Sequence, residues 1–290
     1  MTKKELILEL QRRGIEKIYG RALSSCLKVE LQAYLNRLSE FQVEEHFSIS
    51  QVRMYRRCGL QYYFRYVEGI KIPPAGIILA GKIFHETAEM NYTYKKNQGK
   101  DLEVDYLQDY FAQKFKEEKD TALWEEEKPE EIESLYIKTI KPFHEEILRP
   151  TEPELVESEF SLYLNDRQVV GKIDLVDIQK NIRDTKTGKK KKTQEELEKD
   201  EQLILYAYAY RKQFGQENEI GYDVAVTKKN PETQILRIKV EDWRIQRTLN
   251  AIALTIDAIL KRVFVPAPDG WWGCHPRYCG YYELCNKELI

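Results

Sequence analysis

The spacing of apolar residues divides the chain into a helical first part, a strand-rich middle and a helical end. Leu6, Ile7 and Leu10 form one stripe at helical spacing, and Gly14 stops it. After a turn with Gly20, Leu31, Tyr34 and Leu35 mark the inner face of a second helix over roughly 28–38. Residues 40–47 read as a linker. Ser50 is placed to cap a helix reaching about Tyr66. Another helix is expected after Gly81, carrying His85. Residues 101–148 read as two or three helices broken at Pro129 and Pro142. The period then changes, and 155–164, 168–178 and 182–187 read as strands joined by short turns. Thr193-Gln-Glu-Glu196 is a capping box that opens a helix to about Phe214. Strands over 220–227 and 234–240 follow, then a long helix over 241–262 and a tail rich in Pro, Trp and Cys. This order predicts an α/β core with a mixed central sheet flanked by helices.

Composition narrows the class. A chain of 290 residues with 42% hydrophobic content can bury a real core, which excludes global disorder. No stretch approaches the ~20 apolar residues of a membrane helix. The first residues lack an apolar signal region, so the expected compartment is the cytoplasm, bacterial or that of a phage host. The net charge of −2 argues at first against a nucleic-acid partner, but the charge is uneven. Residues 1–100 carry +7, residues 101–160 carry −12 and residues 161–290 carry +3. An acidic helical segment masks a basic remainder. It is a solvated face, or a lobe that keeps a polyanion off the wrong surface.

The most informative segment is Gly171-Lys-Ile-Asp174…Asp184-Thr-Lys186, two strands meeting near Gln179–Asn181. Side chains two apart on a strand share a face, so Asp184 and Lys186 point one way and Thr185 the other. Across the hairpin Asp174 can approach Asp184. Two facing acids repel unless a cation neutralises them, and Mg²⁺ or Mn²⁺ suits oxygen ligands. A lysine beside such an ion can orient or deprotonate an attacking water and steady charge on a phosphate. By itself Asp-x-Lys marks only a polar strand face. Other features accompany it: Gly81-x-x-x-His85 upstream, Glu157 and Glu159 on the incoming strand, and Gln202-Leu-Ile-Leu-Tyr206, whose ends share a helix face.

Taken in order, these motifs resemble the RecB-like branch of the PD-(D/E)XK nuclease superfamily, including its AddB-like iron–sulfur exonucleases. Gly81…His85 is similar to the first motif, Gly171-x-x-Asp174 to the second, Asp184-x-Lys186 to the third and Gln202-x-x-x-Tyr206 to the fourth. The resemblance spans about residues 48–285. It implies a restriction-endonuclease-like core and a DNA exonuclease. In it His85, Asp174, Asp184 and the backbone carbonyl of Thr185 ligate Mg²⁺ or Mn²⁺, Lys186 assists the water, and Gln202 and Tyr206 support the site. Relatives act in recombination, double-strand-break processing, phage DNA metabolism and CRISPR adaptation. The expected partner is DNA, as single strands or duplex ends. No G-x-x-x-x-G-K-[ST] occurs, so ATP-driven unwinding would fall to a helicase or recombinase partner.

Cys274, Cys279 and Cys285 cluster near the end of the chain, and Cys58 lies 216 residues before Cys274. Incidental burial, a disulfide or four-thiolate zinc are open readings, although CxxC pairs are missing. One distant cysteine with a C-terminal trio resembles the iron–sulfur staple of the same nucleases, with Gly59 where proline is usual. That implies a structural [4Fe–4S] cluster on Cys58, Cys274, Cys279 and Cys285. Tying 58 to 274 would remove loop entropy on the order of 5 kcal/mol. Cys26 is left over.

Two basic segments are candidate DNA contacts. Lys189, Lys190, Lys191 and Lys192 follow the Asp-x-Lys motif directly, and could approach a DNA backbone or merely solvate a loop. Arg53, Arg56 and Arg57 lie among tyrosines that could stack bases or pack inward. Residues 1–40, with Lys-Lys-Glu-Leu-Ile and Leu-Lys-Val-Glu-Leu-Gln-Ala-Tyr-Leu, look like a SAP-type helix–extension–helix module or a plain helical hairpin. The expected organisation is therefore this module and a nuclease domain over 48–290. That domain includes a helical insertion at 101–150 and the cysteine cluster at 271–290. Competing readings are a non-catalytic iron–sulfur DNA-binding protein, which would lack Asp174, Asp184 or Lys186, and a zinc-stapled endonuclease.

Overall fold

The computed structural model describes residues 1–12, 15, 17–18, 21–29, 31–32, 35, 46–125, 127–268 and 270–288, with backbone alone at 17, 21, 287 and 288. The expectations at Gly14, Gly20, Tyr34 and 40–45 lie outside them. Two compact units result: Met1–Glu45 with Ser50–Ile72 and Thr255–Ile290, and His46–Ile49 with Pro73–Leu254.

In the first unit, α1 (Lys3–Arg12) is followed by a minimal hairpin of β1 (Lys17–Ile18) and β2 (Arg21–Ala22). Leu6, Leu10, Ile18, Leu23, Cys26, Leu31 and Leu35 bury a small core of their own. The helix expected from Ser50 to Tyr66 is three pieces. These are α2 (Ile49–Arg57), α3 (Gly59–Tyr62) and a wider π-type turn over Tyr63–Val67. Ser50 lies inside the first turn rather than capping it. The break falls at Cys58, whose backbone is extended. Tyr55, Tyr62 and Tyr63 pack around Phe264, with Tyr62 fully buried and the other two half-buried.

The second unit is built on a six-stranded sheet in the order β3-β5-β6-β7-β8, with β4 on β5. Its strands are β3 (His46–Ser48), β4 (Pro153–Leu164), β5 (Arg167–Asp177), β6 (Ile182–Gly188), β7 (Ile220–Val226) and β8 (Glu232–Ile238). β3 and β7 pair parallel to β5 and β6, and the other pairings are antiparallel, so the sheet is mixed as expected. β3 falls partly in the stretch read as linker; three residues are too few for a period to register.

Helices α4 (Gly76–Gln98), α5 (Val104–Glu118) and α6 (Pro129–Phe143) pack on one face of the sheet. Buried Leu79, Ile83, Leu107, Phe111, Phe115, Ile132, Tyr136 and Ile140 recur at helical spacing and meet Leu175 and Ala225 of the sheet. α4 starts five residues before Gly81. Pro129 opens α6 at a position where a missing N–H costs nothing. α6 ends one residue after Pro142, and the chain passes into a five-residue π turn, His144–Leu148. On the opposite face, α7 (Gln194–Glu198) carries the expected capping box but ends after one turn. α8 (Glu201–Phe214) has its own cap, Asp200, which accepts the N–H groups of Gln202 and Leu203. α9 (Asp242–Leu260) follows the last strand. Among the described residues no helix is long and apolar enough to cross a membrane.

Candidate active site

Strand register brings the acids together. β5 and β6 pair at Leu175–Arg183 and Val176–Ile182. One step further, Asp174 and Asp184 face each other just past the end of the ladder. On the other side of β5, pairing of Val156 with Leu175 and Ser158 with Ile173 sets Glu157 opposite Asp174. Glu157 has φ +48°, a left-handed backbone unusual for a non-glycine residue in a strand. Such strain costs about 1–3 kcal/mol and is typical of functional positions. Glu159 instead pairs with Lys172 at the surface.

α4 delivers the histidine. His85 Nε2 lies 2.9 Å from Asp174 Oδ2. Gly81, one turn earlier, lets the helix approach β6, since a Cβ there would sit 2.8 Å from Thr187 Oγ1. Gly171 has a parallel reason: a Cβ would meet the Phe160 ring at 2.6 Å. Phe160 in turn sits edge-on to Tyr206, with centroids 5.8 Å apart. Both motif glycines are therefore packing requirements of the scaffold around the site.

Asp184 is only 2% exposed. Gln202 Nε2 donates to its Oδ1 over a long 3.4 Å and to the Tyr206 hydroxyl at 2.9 Å. Lys186 Nζ lies 2.6 Å from Asp184 Oδ2 in an ion pair. His85, Asp174, Asp184, Thr185, Lys186 and Gln202 line one open cavity of about 520 Å³.

Charge and burial oppose each other here. Burial pulls the His85 pKa down, but Asp174, with Asp184 and Glu157 behind it, raises it to about 9. Burial beside Asp174 pushes Glu157 up to about 7. Asp184 is held well above the carboxylate range by burial, against the pull of Lys186 and with a push from Asp174. Burial also raises Asp174, but His85, Asp184 and Lys186 outweigh it and its pKa falls. The two acids therefore titrate as a pair, pushed in opposite directions by their surroundings. Lys186 is raised despite burial, chiefly by Asp184, and stays an ammonium.

This donor set fits a divalent cation. One ligand atom each from His85, Glu157 and Asp174 falls within 4.8 Å of the others, and buried Asp184 lines the same cavity as His85 and Asp174. Sequence reasoning raised Glu157 only as an added carboxylate. It missed Asp200 and Tyr222, which lie just behind Lys186 and Gln202. A capping signal at Asp200, two residues before Gln202, could have revealed the first.

The basic segments are less free than their charge implies. Lys189 pairs with Glu127, Lys191 with Glu232 and Lys192 with Glu196, while Lys190 is exposed. Such surface pairs are weak and a phosphate can displace them. In the other unit Arg53, Arg56 and Arg57 are exposed. Arg56 donates to Thr255 Oγ1 and Arg57 to Gln61 Oε1.

That unit also holds a cavity of about 30 Å³, lined by Cys58, Cys274, Cys279 and Cys285. Ala267 N–H donates to the Cys58 sulfur at 3.3 Å and Gln61 Nε2 to that of Cys279 at 3.1 Å. Gly59 donates its N–H to Val265 O at 2.8 Å, and a Cβ there would meet the 265 backbone at 2.7 Å. Proline could do neither, which explains the glycine. Among the described residues no three of these sulfurs converge as the active-site donors do. Tetrahedral zinc, with Zn–S about 2.3 Å, would draw its sulfurs to about 3.8 Å of one another.

A model of the PD-(D/E)XK nuclease superfamily matches residues 46–286, and the chain belongs to that superfamily. A search of curated proteins finds no match. Among solved structures, the crystal structure of a "putative exonuclease" from Eubacterium rectale is similar with a TM-score of 0.53. It is 14% identical, and the match covers 84% of this chain and 91% of that one. At that identity the likeness is one of fold.

Proposed function

We propose that the chain is a divalent-metal-dependent DNA exonuclease that hydrolyses phosphodiester bonds in recombination, repair or phage DNA metabolism. The observation that carries this reading is the convergence of His85, Glu157 and Asp174, with Asp184 and Lys186 lining the cavity that His85 and Asp174 share. The exonuclease activity named for the protein of similar fold agrees with it.

His85, Glu157, Asp174, Asp184 and the Thr185 carbonyl would hold Mg²⁺ or Mn²⁺. When bound, the ion supplies positive charge at the scissile phosphate and lowers the pKa of water. Lys186, kept protonated by Asp184, donates hydrogen bonds that orient the water and offset charge growing on the phosphate. It is the wrong charge state for a general base. Gln202 holds Asp184 Oδ1, and Tyr206 holds Gln202. Lys189, Lys190, Lys191 and Lys192, and in the other unit Arg53, Arg56 and Arg57, would bind DNA phosphates. Single strands or duplex ends are the substrates, and unwinding would come from a helicase or recombinase.

The four cysteines would hold a structural [4Fe–4S] cluster. Their shared cavity and the two hydrogen bonds to sulfur support a common site for the four cysteines, and the resemblance of their spacing favours iron–sulfur. End-labelled single- and double-stranded DNA, digested with Mn²⁺ by the wild type and by Asp184→Ala, tests the activity. Equal degradation by both would sink the site. Anaerobically purified protein should absorb near 400 nm, whereas a colourless protein containing zinc would refute the cluster.

A further inference from the structure

Two buried residues outside the motifs lie against the lysine. Tyr222 on β7 pairs with Asp184 on β6, so its ring shares the face of Asp184 and Lys186. Lys186 Nζ stands 5.6 Å from the centre of that ring. The Tyr222 hydroxyl donates to Asp200 Oδ2 at 2.6 Å. The other oxygen of Asp200 accepts the N–H groups of Gln202 at 2.8 Å and Leu203 at 3.3 Å. The Gln202 side chain returns to Asp184, and Asp184 meets Lys186. The contacts therefore close a ring through Asp184, Lys186, Tyr222, Asp200 and Gln202.

The ring joins two parallel strands to the helix that crosses between them. A helix cap needs only a short acceptor, and most caps are at the surface. Asp200 is 7% exposed and Tyr222 3%, so both are buried far beyond what capping requires. Burying a carboxylate is costly unless its hydrogen bonds are made. Lysine has four rotatable side-chain bonds, and an ion pair with Asp184 fixes the distance of its ammonium but not its direction. The aromatic face supplies the second constraint, because a cation is attracted to the ring from above. The phenol–carboxylate bond fixes that ring against α8, whose first turn also carries Gln202.

We propose that Asp200 and Tyr222 are positioning residues for the hydrolytic reaction. Together they set Lys186 and Gln202 in one arrangement around Asp184. This rests on the role given to Lys186 above.

Tyr222→Phe removes a single oxygen and keeps the ring. With Mn²⁺ and a labelled DNA, kcat should fall, by about tenfold to a hundredfold for a misplacement below about 1 Å. KM for DNA, and Mn²⁺ affinity by calorimetry, should stay within about twofold of wild type. Asp200→Asn still caps the helix through its amide oxygen and keeps the contact with Tyr222 by donating from its amide nitrogen to the hydroxyl oxygen, so it should recover most of the kcat lost in Asp200→Ala. A purely structural role predicts a lower melting temperature with wild-type kcat in the folded fraction, and that outcome overturns the proposal. So does an Asp200→Asn variant no better than Asp200→Ala, which also decides the matter if Tyr222→Phe fails to fold. Wild type no more active than Asp184→Ala would remove the nuclease reading itself. A Tyr222→Phe enzyme as fast as an active, metal-dependent wild type removes only this proposal.

Discussion

Loading the active site with a divalent cation should drive protons off it, and the number follows from the geometry. At pH 7 His85, with a pKa of about 9, is almost fully protonated. Glu157, with a pKa of about 7, is half protonated. Both must shed protons to ligate, so binding at pH 7 should release about 1.5 protons from His85 and Glu157. The sign is fixed: affinity rises with pH, by about thirtyfold per unit near neutrality. Calorimetry of Mn²⁺ binding to DNA-free protein, in buffers of different ionisation enthalpy, counts the protons directly. His85→Ala should lower the count by about one. Release of fewer than about half a proton, or an affinity flat between about pH 6 and 8, would refute the reasoning.

Three further outcomes are expected. The metal-free protein should lose stability as pH rises. The raised His85 stabilises fully below 6.5 and less as pH passes 9, and the raised Glu157 stabilises below 4.5 and less as pH passes 7. Melting temperature should therefore drift down from about pH 5 to 9, and saturating Mn²⁺ should remove the drift. Gly171→Ala forces the Phe160 ring away from Tyr206 and should cost about 1–3 kcal/mol in urea unfolding. Adding Phe160→Leu should return part of that loss. Asp223 is 1% exposed and bridges Arg183 and Arg237. Asp223→Ala leaves two guanidinium groups short of a partner and should cost about 3–5 kcal/mol, measured the same way.

Much of this was legible in the sequence because short-range rules govern it. Alternation in β5 and β6 set Asp174, Asp184 and Lys186 on one face, and the i,i+4 step did the same for Gln202 and Tyr206. Strand limits fell within about two residues of those expected. What stayed hidden depends on partners distant in sequence. The parallel pairing of β6 with β7, which brings Tyr222 beside Lys186, leaves no local trace. The left-handed backbone at Glu157 has no signal, because glutamate gives none of the warning a glycine would. Inward packing of the tyrosines at 55, 62 and 63 depends on Phe264, two hundred residues on. The helix over 129–143 ends one residue after Pro142, close to the expected break, and a π turn follows it.

The contact between His85 and Asp174 spans 89 residues of chain, and β3 meets β5 at His46 and Gln168. Pairings so far apart pay their loop-closure entropy before they return any stabilisation, so they form late and slowly. The catalytic centre depends on such pairings rather than on any one local element. A chain still folding has its lysines and acids but not their arrangement. On the function proposed above, hydrolytic power would arrive only with the finished sheet, and an immature or unfolding copy in contact with DNA would leave it uncut.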